Sequence, residues 1–368
     1  QIQLKKGTIA WDMWQNIPVP IYIKTWNFNI TNPNAMKDGE KFKVEEFGPY
    51  TFEEKRTRTI VDVNEEEDTV TYNENVNYFF HPELSNGTLD DTYTVANPLY
   101  ISLATLGHQY LPGIANIVIR MLENVGETYT RKNVTIRDMT FDGVKVPELY
   151  TPLVNIGPGN DVTEYHRGRF GYLLQINGSN QGQFKIKTGI KDPSTFGKIV
   201  SWNGLKEVTY WTDPALPADQ QYCNKINGSD GSANLPLMTK DSPVYIFHPY
   251  LCRSLHFRYH EDAVVHGINV FKFKFPKYLF ASPLKNPDNH CFCRKGSDDF
   301  KDRCVDGGYY VGVCKKDARI VITKPHFFES EQRFSDSVEG MKPNPDQHDT
   351  EVYVEPLWFQ TICDLPWR

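Results

Sequence analysis

The chain has 368 residues, of which 39% are hydrophobic and 13% aromatic, and its formal net charge is −6. This length is enough to bury a sizeable core without help from disulfide bonds. The acidic balance argues against a nucleic-acid partner, which needs a basic surface. No uninterrupted run of apolar residues is long enough to predict a membrane-spanning helix.

The first part of the chain alternates apolar and polar residues in the manner of β-strands. Residues 21–30 predict one strand, and residues 41–52 predict another that is bent or bulged at Gly48-Pro49. Residues 57–77 predict a hairpin whose turn holds the acidic run 64–68. A calcium site in this turn is the alternative. The ligand spacing and glycine of a calcium-binding loop are missing, which favours a solvated hairpin tip.

The pattern changes from strand to helix after residue 97. Apolar residues at helical spacing predict helices over residues 98–107 and 112–125, and a third, shorter helix over residues 135–141. The second helix has one apolar stripe, formed by Ile114, Ile117, Val118, Met121, Leu122 and Val125. We therefore predict that residues 98–165 form a helical apex inserted in a β structure.

The predicted apex is rich in basic side chains: Arg120, Arg131, Lys132, Arg137 and Lys145. They are candidates for capturing an anionic ligand, because clustered positive charge raises the local concentration of anions. The alternative is that they only keep a helix face soluble.

Strand patterns resume in the second half of the chain. Residues 198–211 predict a hairpin with a type I′ turn at Asn203-Gly204. Other strands are predicted over residues 170–176, 183–188, 244–247, 255–259, 267–275 and 319–323. Strands at this density are typical of a β-barrel or a β-sandwich.

Six of the seven cysteines lie in one segment, at Cys223, Cys252, Cys291, Cys293, Cys304 and Cys314. They can pair in many ways, and the spacing does not choose between them. Zinc binding is the alternative, but Cys291 and Cys293 lack the two-residue separation of a zinc knuckle. The seventh, Cys363, is either a free thiol or a lipidation site near a membrane.

Five N-x-S/T sequons accompany the cysteines, at Asn29, Asn86, Asn133, Asn177 and Asn227. Together they indicate the secretory route, where N-linked glycans are added and disulfides persist. We therefore expect glycans at these asparagines and a disulfide-stapled region over residues 223–314. Because the chain begins at Gln1 without a signal segment, we expect it to be part of a longer protein.

The sequence contains no nucleophile elbow, no H-E-x-x-H and no phosphate-binding glycine loop. His326 and His348 lie near each other, and an acid–base or metal role is one interpretation. We favour structural hydrogen bonding, because no clear third ligand accompanies them. We predict no enzyme activity, no cofactor and no metal.

Several motifs resemble the class B scavenger receptors. This family includes the fatty-acid translocase, the high-density-lipoprotein receptor, the lysosomal integral membrane protein type 2, and the insect croquemort and sensory neuron membrane proteins. The resemblance covers nearly the whole chain, and Phe141-Asp142-Gly143 looks more like insect or other invertebrate members than vertebrate ones. The motifs are Ile17-Pro18-Val19-Pro20, Phe28-Asn29-Ile30-Thr31-Asn32-Pro33, Val44-Glu45-Glu46-Phe47-Gly48-Pro49-Tyr50, Trp202-Asn203-Gly204, Cys223-Asn224-Lys225-Ile226-Asn227-Gly228-Ser229, Cys252-Arg253-Ser254, Asn286-Pro287-Asp288-Asn289-His290-Cys291-Phe292-Cys293, Pro325-His326-Phe327 and Gly340-Met341-Lys342-Pro343-Asn344.

The resemblance implies a mainly β fold: a large antiparallel β-barrel-like core with a helical apex bundle and an internal lipid tunnel. Residues 1–368 would form a single ectodomain, flanked in the complete protein by a membrane helix at each end. The disulfides it implies are Cys223 with Cys291, Cys252 with Cys314, and Cys293 with Cys304. It places the ectodomain outside the plasma membrane or in the lysosomal lumen.

The function that the resemblance implies is a receptor that captures lipids or lipoprotein particles at its apex. It would pass a fatty acid, sterol or sterol ester to the membrane through the tunnel. The alternatives are a protein-docking receptor of the lysosomal type and an insect protein that delivers lipophilic odorants. An exposed apolar patch at the apex would favour docking, and an apolar tunnel would favour transport.

The sequence departs from the family pattern at one join. Family members continue after the position of Pro356 with further barrel strands, whereas here Pro356 runs directly into Leu357-Trp358-Phe359. Either residues are skipped at this point, or the form is shortened. A shortened form would leave residues 357–368 poorly packed and a barrel edge open, which stable folds avoid.

Overall fold

The computed structural model describes residues 3–97, 100–101, 104, 108, 113–124, 126–145, 169–174, 176–211, 222–232, 238–293, 304–314, 320–355 and 361–362. Strands dominate this part of the chain, which confirms the prediction of a mainly β fold. They are β1 (Ile21–Ile30), β2 (Phe42–Asn64), β3 (Thr69–Phe80), β4 (Thr92–Ala96), β5 (Thr130–Thr135), β6 (Val144–Lys145), β7 (Arg169–Phe170), β8 (Ser179–Lys187), β9 (Ile199–Trp202), β10 (Val244–His248), β11 (Arg253–Val265), β12 (Ile268–Lys274), β13 (Gly308–Tyr310), β14 (Val321–Thr323), β15 (Val338–Glu339), β16 (Glu351–Val354) and β17 (Thr361–Ile362).

Short helices lie between the strands. The α-helices are α1 (Ile9–Gln15), α2 (Ala115–Asn124), α3 (Gln332–Ser337) and α4 (Pro345–His348), and a π-helix spans Asp138–Asp142. Short 3-10 helices span Pro82–Leu84, Pro193–Thr195, Tyr222–Asn224, Pro249–Leu251, Lys277–Phe280, Pro287–Phe292, Gly312–Cys314 and Pro325–Phe327. Among the described residues, no helix has the length and apolar character needed to cross a bilayer.

Two sheets carry most of the strands. The first has the order β1-β2-β3-β8-β9, with β15 paired in parallel beside the start of β2, and the second has the order β10-β11-β12-β16-β17. One apolar core contains residues of both sheets, such as Val70 and Phe184 of the first and Phe257 and Phe273 of the second. The two sheets therefore bury their apolar faces against each other.

Backbone hydrogen bonds of residues 228–229 also join the two sheets. The amide of Ile199 in β9 donates to the carbonyl of Gly228 at 2.9 Å, and the amide of Ser229 donates to the carbonyl of Tyr245 in β10 at 3.2 Å. Gly228 has a φ of +81°, and a Cβ at this position would lie 1.9 Å from the Tyr245 carbonyl oxygen. Glycine is therefore required where the chain passes between the sheets.

The strands predicted in the first part of the chain are confirmed. β1 and β2 pair along their length, and the register shifts between Thr25 and Asn27, opposite the Gly48-Pro49 step. β2 and β3 form the predicted hairpin, with its turn at residues 65–68. In the second half, β8, β10, β11, β12 and β14 each overlap a predicted strand.

Two strand predictions need correction. Beyond Arg169–Phe170, the chain from 171 to 178 is not a strand where described, because Tyr172 and Leu173 donate their backbone N–H groups to the carbonyls of Met139 and Thr140. The turn at Asn203-Gly204 is present, with φ values of +50° and +78°. The second arm of that hairpin makes only isolated bridges, and β9 pairs instead with β8.

The described part of the predicted helical apex contains strands as well as helix. α2 confirms the helix predicted over residues 112–125, and helical turns over residues 136–142 match the third predicted helix. β5 lies between them, because Thr130, Val134 and Thr135 favour a strand and pair with β4. The helix predicted over residues 98–107 lies mostly outside the described residues.

A second, smaller core attaches this insert to the first sheet. Tyr50 and Phe52 of β2 pack there with Tyr93, Val134 and Met139. The Phe52 and Phe141 rings meet edge to face, with their centroids 5.0 Å apart. The insert is therefore anchored on β2 through apolar contacts.

The join at Pro356-Leu357 lies outside the described residues, as do residues 357–360 and 363–368. Thr361–Ile362 are described as β17, which pairs antiparallel with Tyr353 and Val354 of β16. This short pairing covers part of the β16 edge.

Candidate functional site

The apolar stripe predicted on α2 is divided into two rows. Ala115, Val118 and Leu122 are buried. The neighbouring row, formed by Ile114, Ile117 and Met121, is 46%, 59% and 47% exposed. The prediction of a single apolar stripe therefore needs correction, because the helix buries only the side that begins at Ala115 and leaves the neighbouring apolar row exposed. We call Ile114, Ile117 and Met121 the exposed apolar row.

Polar contacts fix the C-terminal end of α2. The buried Tyr100 donates its hydroxyl hydrogen to Glu123 at 2.9 Å, and the Asn97 side chain donates to Glu127 at 2.6 Å. The amides of Gly126 and Glu127 donate to carbonyls of the last helical turn. These bonds hold the helix in the orientation that leaves the exposed apolar row on the surface.

The basic residues predicted for ligand capture lie on four elements. Arg137, in the helical turns after β5, is exposed and forms an ion pair with Asp90 at 3.4 Å. Arg120 is exposed on α2, Lys132 is exposed on β5, and Lys145 is exposed on β6. Arg131 neighbours Lys132 on β5, but its guanidinium forms an ion pair with Glu127 at 3.8 Å. Side chains of consecutive strand residues point to opposite faces, so these two charges diverge. Arg120, next to the exposed apolar row, remains the strongest candidate.

A buried network of charges crosses the inner face of the first sheet. Arg58 of β2 contacts Glu74 of β3 at 3.2 Å and Asp230 at 2.9 Å, and its guanidinium also donates to the carbonyl of Trp14. Tyr72 donates its hydroxyl hydrogen to Asp230 at 3.0 Å. The network was not predicted. The sequence feature that could have indicated it is the set of charged residues at alternate positions 54, 56 and 58, which all face the core side of β2.

Burial and neighbouring positive charge shift the pKa values of the carboxylates in this network in opposite directions. Burial raises the pKa of Asp230, but the positive charges of Arg58 and Arg56 outweigh it and hold that pKa at about 2. Burial raises the pKa of Glu74, and the same two arginines oppose the rise without cancelling it. Asp230 is therefore the carboxylate that most strongly balances Arg58.

The side chains of His326 and His348 accept hydrogen bonds from the backbone rather than forming a reactive pair. Their rings stack with centroids 4.2 Å apart. The amide of Lys342 donates to Nδ1 of His326, and the amide of Asn344 donates to Nδ1 of His348, each at 3.0 Å. This geometry supports the structural interpretation of the two histidines. In the described part of the chain, no group of His, Cys, Asp or Glu has the arrangement of a metal site.

Three lysines contact the acidic hairpin tip. Lys185 forms an ion pair with Glu67, and Lys187 and Lys191 donate to the backbone carbonyls of Glu67 and Glu66, each at 2.8 Å. Asp68 is buried and accepts the amide of Ile190 at 3.1 Å. These contacts favour the solvated, ion-paired tip over a calcium site.

Three disulfides tie the second half of the chain. They join Cys223 to Cys291 and Cys252 to Cys314, each with Cα atoms 6.2 Å apart, and Cys293 to Cys304 with Cα atoms 4.8 Å apart. These are the pairs that the family resemblance implies. Cys363 lies outside the described residues.

The five sequon asparagines differ in exposure. Asn86, Asn133 and Asn177 are exposed, whereas Asn29 and Asn227 are partly buried. The amide oxygen of Asn29 accepts the Thr94 backbone N–H at 2.9 Å, which holds that side chain against β4. A glycan is most easily placed on the three exposed asparagines.

The paired sheets, the anchored helical insert and the three disulfides together define a disulfide-stapled, mainly β domain. Comparison with known families is more specific. The CD36 family matches residues 1–358, and the chain belongs to this family. The resemblance to class B scavenger receptors is therefore confirmed.

The chain is similar to several kinds of family member at nearly equal identity. It is 31% identical to sensory neuron membrane protein 2 of Manduca sexta, covering 97% of this chain and 70% of the relative. It is 30% identical to scavenger receptor class B member 1 of Bos taurus, with coverages of 97% and 66%. It is 31% identical to lysosome membrane protein 2 of Homo sapiens, with coverages of 97% and 70%. The chain thus spans about two thirds of the length of these relatives.

Proposed function

We propose that the chain is the ligand-binding part of a lipid receptor, which captures lipids or lipid particles on the α2 surface and passes lipid toward a membrane. The observation that carries this proposal is the exposed apolar row, Ile114, Ile117 and Met121, with the exposed Arg120 beside it. An apolar row alone would favour docking of a protein, whereas the adjacent cation favours a lipid with an anionic head group. Contiguous exposed apolar side chains mark a contact with a ligand or a partner, whereas apolar side chains scattered singly over a surface are normal.

The residues around the row suit a lipid with an anionic head group. Arg120 follows Ile117 by three positions, so both side chains lie on the same side of the helix. The apolar side chains would contact an acyl chain or sterol, and the guanidinium would pair with a phosphate or carboxylate. Met121 adds a flexible side chain that adapts to ligands of different shape.

Passage of lipid through the interior is the second part of the proposal. The core between the two sheets is rich in apolar and aromatic side chains, and a passage opened through it would have walls that suit an acyl chain. Moving a lipid along such a lining avoids exposing apolar surface to water, which is the main cost of transfer. Native mass spectrometry of the glycosylated protein tests this part directly, with co-purified fatty acid or sterol ester as the expected result.

Replacing Ile117 and Met121 together with Ser tests capture. We expect the affinity for vesicles of phosphatidylcholine and phosphatidylserine to fall roughly tenfold, measured by co-sedimentation, because apolar contact area is lost. Val264 and Ile268 are 67% and 46% exposed at the turn between β11 and β12, and Ser at both is the matched control. A protein that binds no vesicles and carries no lipid would overturn the lipid-receptor proposal.

A protein-docking receptor is the second candidate, because the same exposed apolar row would fit an apolar groove on a partner. Delivery of lipophilic odorants is a variant of lipid capture and predicts the same effect of the α2 substitutions. Docking predicts instead that the Ser variant loses a protein partner while its lipid content is unchanged.

We also propose N-linked glycans, chiefly at Asn86, Asn133 and Asn177. Each Asn→Gln replacement should lower the mass of the protein from a eukaryotic host by one glycan. A mass unchanged beyond the amino-acid difference would contradict glycosylation at that position.

A further inference from the structure

Arg253 is a buried cation enclosed by aromatic rings. It is the first residue of β11 and only 4% exposed. Its guanidinium lies 3.4 Å from the centre of the Phe292 ring, 5.2 Å from that of Tyr309 and 5.9 Å from that of Phe280. The faces of aromatic rings attract a cation, but none of these contacts supplies a hydrogen-bond acceptor for its N–H groups.

Two nitrogens of this guanidinium, Nε and Nη1, are buried and have no hydrogen-bond acceptor within the part of the chain that the structure describes. An N–H buried in this way is costly, and an uncompensated buried charge costs more. Burial lowers the pKa of Arg253 to about 10, although the nearby hydroxyls of Tyr309 and Tyr222 oppose the change.

Arg58 is the internal comparison. It is as deeply buried as Arg253, yet it has Glu74, Asp230 and a backbone carbonyl as acceptors. At Arg58 burial alone would lower the pKa, but the neighbouring negative charges outweigh that effect, so its pKa is raised. The same chain therefore supplies anionic partners to one buried arginine and none, among its described residues, to the other.

Arg253 lines a cavity of about 20 Å³, together with Phe292, Tyr309, Asn289 and the Cys293–Cys304 disulfide. This space is enough for a single small particle, a water molecule or a monatomic ion. Among the described residues no hydrogen bond joins Asn289 to Nε or Nη1 of Arg253, and the Asn289 amide nitrogen donates instead to the carbonyls of Tyr278 and Ala281.

We propose that this cavity is a binding site for a single halide ion, with Arg253 as its cationic partner. A chloride ion accepts N–H hydrogen bonds and also balances the buried positive charge. A water molecule satisfies an N–H group but leaves the charge uncompensated. The surrounding rings and the disulfide provide no competing anion. The inference is independent of the lipid-receptor proposal.

Crystals of the protein grown in sodium bromide instead of sodium chloride test the site. Diffraction measured at the bromine absorption edge should give an anomalous peak in the cavity, within hydrogen-bonding distance of an Arg253 nitrogen. A cavity with no anomalous peak, holding only water or nothing, would overturn the proposal. This measurement uses the unaltered protein and does not depend on any variant folding.

Thermal unfolding gives a second, independent readout. Replacing gluconate with chloride at constant ionic strength should raise the unfolding midpoint of the unaltered protein by roughly 2–4 °C, because the ion binds only the folded state. Arg253→Met should lose this halide-specific rise. Lys285→Met, which removes an exposed ion pair with Asp306, is the control and should keep it. An equal rise in Arg253→Met would contradict the proposal.

Discussion

Single residues decide how the inner face of the first sheet is stabilised. Arg58 lies among apolar and aromatic side chains, and its guanidinium lies 5.1 Å from the Trp14 ring and 5.4 Å from the Tyr72 ring. Burying such a charge is unfavourable unless carboxylates compensate it. Asp230, which is distant in sequence, supplies one of them, so the network ties the segment after β9 to β2.

Replacing Asp230 with Asn should destabilise the protein by roughly 3–5 kcal/mol, because Arg58 loses a buried anionic partner. Urea unfolding followed by tryptophan fluorescence measures the change. Asp262→Asn is the control, because Asp262 forms an exposed ion pair with Lys240 and should change the free energy of unfolding little. A similar small effect at both positions would contradict the role given to Asp230.

The same carboxylate predicts a pH dependence. The folded-state pKa of Asp230, about 2, lies below its ordinary value of 3.8. Its contribution to stability is therefore complete above about pH 4 and is lost as pH falls toward 2, by roughly 2–3 kcal/mol. The stability difference between the unaltered protein and Asp230→Asn should shrink over this range. A difference that stays constant from pH 5 to pH 2 would contradict the lowered pKa.

At the scale of elements, the sequence predicts what depends on local periodicity. The β2–β3 hairpin is predictable because apolar and polar residues alternate on both sides of an acidic turn. The segment after Phe170 was mispredicted because its amides bond to carbonyls at residues 139 and 140, a contact that no local pattern encodes. α2 was predicted as a helix, but helical spacing cannot say which of two adjacent apolar rows faces the core.

Gly228 offers an element-scale test of the link between the sheets. Gly228→Ala should destabilise the protein by roughly 2–4 kcal/mol, because the new methyl group would meet the Tyr245 backbone and a positive φ is unfavourable for alanine. Gly267 has the same φ of +81° with nothing within 4 Å of a new Cβ. Gly267→Ala should therefore lower the free energy of unfolding by only about 1–2 kcal/mol, which is the cost of placing alanine at a positive φ. Denaturant unfolding measures both variants. Equal losses of unfolding free energy in Gly228→Ala and Gly267→Ala would mean that the close approach of residue 228 to β10 is unimportant.

At the scale of the whole molecule, long-range pairing could not be predicted from the residues alone. β12 pairs with β16, and Phe271 lies opposite Val354 although 82 residues lie between them in sequence. The buried ion network was missed for a related reason. Charged residues are usually exposed, and only the three-dimensional arrangement brings Asp230 to Arg58. The disulfide pairs came from the family resemblance, since cysteine spacing leaves many alternatives.

The disulfides are expected to stabilise the molecule unequally. In the chain-entropy account, a crosslink restrains the unfolded chain more when it closes a longer loop. Cys223–Cys291 spans 68 residues and Cys293–Cys304 spans 11. Replacing Cys223 and Cys291, which close the longer loop, with Ala should lower the free energy of unfolding by roughly 4 kcal/mol. Replacing Cys293 and Cys304, which close the shorter loop, should lower it by roughly 3 kcal/mol.

Denaturant unfolding of the two double variants measures this difference, with free thiols counted to verify that the remaining pairs are intact. The two pairs share the segment around Cys291 and Cys293, so local packing losses should be similar and loop length should decide the order. A larger loss from removing Cys293–Cys304 would contradict the entropic account. It would indicate instead that this disulfide acts mainly on the folded state, where it lines the Arg253 cavity.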